Sequence, residues 1–390
     1  MDELIRLRDK IDEIDAQLLP LFVERMKVCE NVAEYKRRVG KPIFDAEREK
    51  AVLENKVKKT SEMKNEVYDF FNSIMTISRV RQSKILSDTE NRIHSADLLK
   101  KSEPIKENPK VVYFGSEGAY SEEAAIGFFG DSCDRFYASR FEEAYTALNE
   151  GRADYAVLPI ENSSTGTISE VIDLLVRYGL YITGEIYVPI RHCLMGIKGS
   201  SLGDIKTVYS HEQAFLQCSN FLNSLGGVKH EEYYSTALSA RMVADSGDPS
   251  KAAIAARRSA RLYGLEILAE DINNSNGNTT RFAVISKAPH IDLNCDKISV
   301  MFTLKHESGE LSRVLDAFAR GGLNLMKLES RPIADRTVNG KPFEYRFYAD
   351  YTGCLSDDEV RSITDAAVEE AQDFRILGNY RSAASSGNEA

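Results

Sequence analysis

Apolar residues Leu4, Leu7, Ile11, Ile14, Leu18, Leu21, Val28, Val32 and Tyr35 recur at spacings of three and four. That period puts them on one stripe of a single long α-helix. The run Gly40-Lys41-Pro42 stops it, because proline cannot continue the hydrogen-bond ladder and glycine accepts the turn. Pro20 lies inside the same helix, where its missing N–H and bulky ring predict a kink. A short helix from about Asp45 and a longer one from about Met63 to Leu86 follow. Gly40 is the sole glycine before position 88, so residues 1–87 read as an all-α unit. Residues 88–109 are polar, carry two prolines and show no period, which predicts a linker.

At Lys110 the pattern changes. Short apolar runs (VVYFG, YAVLPI, LYITGEI, TVYSH, AAIAA) alternate with helical stretches, the grammar of an α/β domain over 110–288. Residues 296–381 then read strand, helix, strand, strand, helix, strand, a ferredoxin-like βαββαβ order. The polar tail 382–390 is expected to be disordered. The fold class is therefore multidomain: all-α, then two-lobed α/β, then ferredoxin-like.

Composition narrows the chemistry. A chain of 390 residues is too long for one core. Its net charge of −10 argues against a general nucleic-acid partner, which needs a basic surface. The same charge requires that any anionic ligand be held by a local cluster of Arg and Lys. The six cysteines are scattered without a C-x-x-C pair, so neither a disulfide framework nor a metal site is expected. The start MDELIRLRDK has no apolar core of a signal peptide, and no run approaches the ~18 apolar residues that span a bilayer. The expectation is a cytoplasmic protein with no membrane partner and no cofactor.

Single charges on a helix are ordinarily solvated, so the weight lies on a set. Arg8, Arg25, Lys36, Asp45, Arg48, Glu49, Ser78 and Gln82 fall in the spacing L-R-x-K-I-x-x-x-D, E-R, Y-K, P-x-x-D-x-x-R-E and S-x-x-x-Q. From Leu4 to Gln82 this resembles the all-helical chorismate mutases. The resemblance implies that Arg8, Arg25 and Arg48 hold carboxylates, that Lys36 and Gln82 donate to the ether oxygen, that Asp45 and Glu49 sit near the ring hydroxyl, and that Ser78 lines the pocket. A pericyclic rearrangement needs no nucleophile or metal, only a compact conformer and stabilised ether charge. Helix geometry adds a constraint. Arg8 precedes Lys36 by 28 residues, ~42 Å along a straight helix. No small ligand touches both from one chain, so a contributing Arg8 must serve a second chain's site, in an intertwined homodimer.

In the α/β stretch the landmarks are FGSEGAYSEEAA (114–125), PIENSSTGT (159–167), YSHEQAFLQC (209–218) and NTTRF (278–282). Singly they have structural readings: Gly115-x-x-Gly118 as a strand-to-helix turn, His211 and the ENSSTGT hydroxyls as helix caps, Arg281 as a salt bridge. Together, from Val111 to Val284, they resemble prephenate dehydratases. The resemblance implies that Thr280 is catalytic, donating a hydrogen bond to the departing ring hydroxyl as carbon dioxide leaves. Asn162, Ser163, Thr165, His211, Gln213 and Arg281 are the further candidates for the prephenate pocket.

The last unit carries G-E-L-S (309–312) at a helix start and E-S-R-P (329–332) on the next strand. It resembles the regulatory amino-acid-binding domains of the ACT family. That implies a phenylalanine site between two chains, using Gly309, Leu311, Glu329, Ser330 and Arg331. Glu310 departs from the small apolar residue usual after that glycine. The structural alternative is that Glu329 and Arg331 simply alternate outward from a strand.

Two rival readings remain. A mutase joined to a nicotinamide-dependent dehydrogenase would need G-x-G-x-x-G after a strand, which is missing. A mutase fused to a non-catalytic two-lobed solute sensor would account for the cleft without a second reaction.

Overall fold

The computed structural model describes residues 3–41, 45–86, 95–275, 277–304, 307, 309–333, 337–338, 341–342 and 345–383. They form two compact units, one within Met1–Lys101 and Cys295–Ile376, the other within Ser102–Asn294 and Leu377–Ala390.

In the first unit, α1 (Glu3–Val39) continues through Pro20 as one helix. Helix α2 (Ala46–Lys58) starts at Asp45, whose carboxylate accepts the Arg48 N–H at 3.0 Å, satisfying a donor the helix cannot use. The third helix, α3 (Lys64–Leu86), packs against both. On α1 only Met26 and Ala33 are buried. The stripe Leu4, Leu7, Ile11, Ile14 and Leu18 is 43–59% exposed, an apolar face without a cover in the single chain. Part of the expected linker is structured instead. Helix α4 (Ser95–Lys100) buries Ser95 and Leu98, because a short amphipathic turn interrupts the polar run. Residues 88–94 lie outside the described residues.

The second unit is two-lobed. Its first lobe holds β1 (Lys110–Phe114), α5 (Tyr120–Phe129), β2 (Asp134–Ala138), α6 (Phe141–Asn149), β3 (Tyr155–Asn162), β4 (Gly166–Thr167), α7 (Ser169–Tyr178) and β5 (Tyr181–Pro189). The second holds β6 (His192–Gly196), β7 (Thr207–Ser210), α8 (Glu212–Gln217), α9 (Ser219–Leu225), β8 (Lys229–Glu232), α10 (Thr236–Ser246), β9 (Lys251–Ala256), α11 (Arg257–Tyr263) and β10 (Glu266–Ala269). Strand β11 (Thr279–Ser286) then returns to the first sheet. The sheets run β2-β1-β3-β11-β5, with β4 beside β3, and β10-β6-β9-β7-β8. Buried runs such as Tyr155–Ile160 and Ala252–Ala256 form their centres, as strands covered on both faces should. The chain crosses between lobes only after β5 and before β11, so the residues at those strand ends sit where the lobes meet.

The C-terminal part comprises β12 (Lys297–Thr303), α12 (Glu310–Arg320), β13 (Leu325–Pro332), the small hairpin β14 (Thr337–Val338) and β15 (Lys341–Pro342), β16 (Tyr345–Thr352), α13 (Asp358–Glu370) and β17 (Asp373–Tyr380). Its sheet order is β13-β16-β12-β17, the arrangement expected of a βαββαβ chain. Here tertiary packing departs from the beads-on-a-string expectation. Helix α3 packs on α12 and α13, and Ser95 Oγ donates to Asp365 Oδ1 at 2.9 Å, so the N-terminal helices and this sheet form one unit. The start of the tail is also docked: Ser382 is buried and Ala383 N donates to Glu185. Residues 384–390 of the expected disordered tail lie outside the described residues.

Candidate functional site

Seven of the eight polar residues read from the helical spacing line one cavity of about 210 Å³: Arg25, Lys36, Asp45, Arg48, Glu49, Ser78 and Gln82. Three different helices and a cap deliver them. The cavity is completed by Cys29, Val52 and Met75, which the sequence did not single out because apolar liners look like any core residue. Arg25 Nη1 donates to Ser78 Oγ at 2.5 Å, and Ser78 in turn donates to Ile74 O at 2.7 Å. The arginine fork is thereby held facing the cavity. Gln82 is buried, and its Oε1 has no hydrogen-bond partner among the described residues. Arg79, also missed, is buried beside the cavity and pairs with Glu49. Arg8 does not line the cavity.

A second polar cluster joins the two strand ends in the two-lobed unit. Thr280 on β11 stands directly opposite Asn162 on β3, and both are buried. Asn162 Nδ2 donates to Thr280 Oγ1 and to Asn278 Oδ1, each at 2.8 Å. Asn162 Oδ1 accepts the N–H groups of Ser164 and Thr165 at 2.9 and 3.2 Å. Ser163 Oγ accepts Thr279 N–H at 3.0 Å and donates to Gly277 O at 3.2 Å. The hydroxyl-rich loop is thus laced to the N-T-T-R segment, and Thr280, as an acceptor from Asn162, keeps its own proton to donate. Asn278, which opens the N-T-T-R-F landmark but was not among the candidate residues, has a buried Nδ2 without a partner among the described residues, as has Ser116 Oγ in the turn after β1.

Other candidates sit differently. Neighbours on a strand face opposite ways, and Arg281 is held on the face away from Thr280 by Glu185 (2.7 Å), Glu161 (3.4 Å) and the Tyr380 hydroxyl (2.9 Å). Its geometry is that of the structural ion pair. His211 is the N-cap of α8, its Nδ1 accepting Gln213 N–H at 3.2 Å, and both are exposed. Gly115 and Gly118 take φ of +112° and +82°, and a Cβ at Gly118 would lie 2.9 Å from Ser259 Oγ. The turn requires glycine at both positions.

Close to this cluster, His192 touches the Tyr120 hydroxyl through Nδ1 at 3.3 Å and Gln217 Oε1 through Nε2 at 3.1 Å. Burial pulls its pKa down to about 4, partly opposed by Gln217, so it is neutral at pH 7.

In the C-terminal part, Gly309 adopts φ +86° just before α12. Strand β13 is the sheet edge, with Glu329 and Arg331 on its half-buried face and Met326, Leu328 and Ser330 on the exposed one. The outward alternation expected of Glu329 and Arg331 is therefore reversed; Ser330 faces out. Arg331 lies 5.9 Å over the Tyr348 ring.

A cavity lined by Arg25, Lys36 and Arg48 with two acids, and a two-lobed α/β fold with a buried Thr–Asn pair, are the two polar sites that the class of the protein has to account for. Family models match twice: "Chorismate mutase type II" over residues 7–83 and "Prephenate dehydratase" over 111–290. The bifunctional chorismate mutase/prephenate dehydratase of Enterobacter agglomerans is 33% identical over 387 residues, spanning 97% of this chain and 96% of its own. That of Aquifex aeolicus is 32% identical over 381 residues, spanning 97% and 98%. The prephenate dehydratase of Arthrobacter aurescens, solved with L-Phe, superposes with a TM-score of 0.63 at 30% identity, covering 70% of this chain and 90% of its own. The chain belongs to the bifunctional chorismate mutase/prephenate dehydratase family. It is an enzyme with a mutase and a dehydratase activity. Among the described residues no helix is long and apolar enough to cross a membrane.

Proposed function

We propose that the helical cavity converts chorismate to prephenate and that the Thr280–Asn162 cluster converts prephenate to phenylpyruvate, in the cytoplasm, for phenylalanine synthesis. The observation that carries the reading is the convergence on one cavity of seven polar residues from three helices and a cap. Arg25 and Arg48 bind carboxylates, where a planar fork does better than a point charge. Lys36 and Gln82 face the ether oxygen as its bond to the ring breaks, and Asp45 and Glu49 receive the ring hydroxyl. Arg8 completes the cavity of a second copy, in a homodimer that covers the exposed stripe of α1.

At the second site, the Asn162 bond to Thr280 Oγ1 turns the threonine proton outward. As the ring carboxylate leaves as carbon dioxide, its bonding electrons enter the ring and expel the hydroxyl. Thr280 donates a hydrogen bond to that hydroxyl, which leaves as hydroxide and takes a proton from solvent to become water, while Thr280 keeps its own proton. Ser163, Thr165, Asn278 and Ser116 supply further hydrogen bonds to the substrate. This favours a second reaction over a passive solute sensor.

Phenylalanine is the proposed effector, held by Gly309 and Leu311 at the start of α12 and by Glu329, Ser330 and Arg331 on β13, as in an ACT domain. The exposed edge of β13 offers the strand along which two copies would join. A coupled assay following chorismate through prephenate to phenylpyruvate, with and without phenylalanine, tests all three assignments. Prephenate that accumulates without further conversion would refute the second.

A further inference from the structure

The mutase cavity is not self-contained within the helices that line it. Arg79 lies one residue beyond Ser78, on the face of α3 turned toward the C-terminal part, and is 4% exposed. Its Nη1 binds Glu49 Oε2, its Nη2 donates to Thr76 Oγ1 at 2.9 Å, and its Nε lies 2.5 Å from Glu370 Oε1 on α13. Glu370 is itself buried, with its Oε2 3.6 Å from Arg313 Nε. Arg313 also pairs with Glu310, the first residue of α12, next to Gly309. The result is a row of alternating charge, Glu49, Arg79, Glu370, Arg313, Glu310, in which Arg79, Glu370 and Glu310 are buried and Glu49 and Arg313 partly so. It accounts for the departure at Glu310, where an acid replaces the small apolar residue: here it closes the row.

We infer that Arg79 is a positioning residue for the mutase reaction, holding Glu49 by one carboxylate oxygen, and that Glu370 of the C-terminal part holds Arg79. The inference rests on the reading of the helical cavity as the chorismate site. Glu49 has two oxygens. With Oε2 committed to Arg79, Oε1 is left for the substrate hydroxyl at a fixed angle. A buried arginine between two carboxylates stays in place only while both are charged and close. Glu370 is therefore part of the mutase although it lies some 290 residues away in sequence. Burial raises the pKa of Glu370, against the opposing pull of Arg79 and Arg313, which is the mark of a carboxylate kept in an apolar setting by its cations. Because the row ends beside Gly309, a ligand that shifts the start of α12 would be felt at Glu49.

The test uses the full chain and four variants: Arg79→Gln, Glu370→Gln, the double variant Arg79→Gln/Glu370→Gln, and Arg79→Lys. Removing one member of a buried pair strands the other charge and costs stability, whereas removing both together is close to neutral. The double variant should therefore recover the melting temperature lost by Arg79→Gln. It should not recover mutase turnover, since nothing then orients Glu49. A displaced catalytic group costs roughly 10- to 100-fold in rate, and this should appear in mutase kcat/KM while dehydratase activity on added prephenate is unchanged. Arg79→Lys, which keeps the charge but loses the fork, should recover part of the rate. Lys36→Ala serves as the anchor for the cavity. If Lys36→Ala is inactive and the double variant turns over chorismate at the wild-type rate, Arg79 is merely structural and the inference falls. If Lys36→Ala is fully active, the cavity is not the mutase site, and the inference falls with that reading.

Discussion

Separating Arg8 and Lys36 onto two chains gives the most direct test of a composite mutase site. Both residues lie on α1, a 37-residue helix, and 28 residues between them correspond to ~42 Å of helix rise. Lys36 lines the cavity of about 210 Å³ and Arg8 does not. If the site is composite, each alanine variant alone removes a charge-bearing donor from every site of the proposed homodimer, a loss of about 10²- to 10³-fold. The two variants are then unfolded, mixed in equal amounts and refolded. Random pairing makes about half of the dimers mixed. In a mixed dimer one site takes both defects and the other takes Arg8 from the Lys36→Ala chain and Lys36 from the Arg8→Ala chain. About a quarter of all sites should thus be intact, by symmetry alone. Chorismate consumption per chain should rise from under ~1% of wild type for either variant to about 25% for the mixture. Native mass spectrometry confirms the mixed dimer. If mixed dimers are present and activity stays at the level of the parents, each site belongs to one chain and the reasoning fails.

Lys36→Ala should lower mutase turnover by about 10²- to 10³-fold while conversion of added prephenate continues; loss of both activities in a folded protein would contradict independent sites. Thr280→Ala should abolish most dehydratase activity, with Thr280→Ser partly restored because the hydroxyl accepting from Asn162 returns; a fully active alanine variant removes threonine from the mechanism. Gly309→Ala forces a Cβ into φ +86°, a strain of about 1 kcal/mol, and should shift phenylalanine inhibition of the dehydratase to higher concentration; an unshifted curve places the effector elsewhere. His192, with its folded pKa near 4 against 6.5 for the free side chain, binds its proton more readily in the unfolded chain. Stability should therefore fall as pH drops from about 6.5 to 4, by about 3 kcal/mol from this residue. In His192→Gln, denaturant unfolding across that range should lose correspondingly less, and an equal loss would show that His192 is not the cause.

Much of this protein was legible in order along the chain. The three-and-four spacing of α1, the strand-and-helix alternation after Lys110 and the final βαββαβ order all reflect local rules: backbone geometry, glycine and proline breaks, and the face each apolar residue must bury. The seven polar residues that line one cavity were legible through the resemblance to the helical chorismate mutases, and the packing of three helices brings them together. Spacing also separated Arg8 from its own cavity, since rise per residue is a property of any α-helix.

What only the tertiary structure decided concerns partners drawn from distant segments. In the sequence Arg281 is open between a salt bridge and the prephenate pocket, and His211 between a cap and that pocket; Glu161, Glu185 and Tyr380 around Arg281 and the cap of α8 at His211 supply the structural reading in each case. Asn278 becomes a candidate through an orphaned buried nitrogen, invisible without burial. Residues 95–100 read as linker because their few apolar side chains acquire meaning only once α13 provides a surface for them. Arg79 is the clearest case. In the sequence it is one more charge on a helix, and it becomes a candidate part of the mutase only because α13 brings Glu370 to it. Secondary structure is written in the spacing of neighbours, whereas the charge state and orientation of a buried side chain depend on groups hundreds of residues away, which no local pattern encodes.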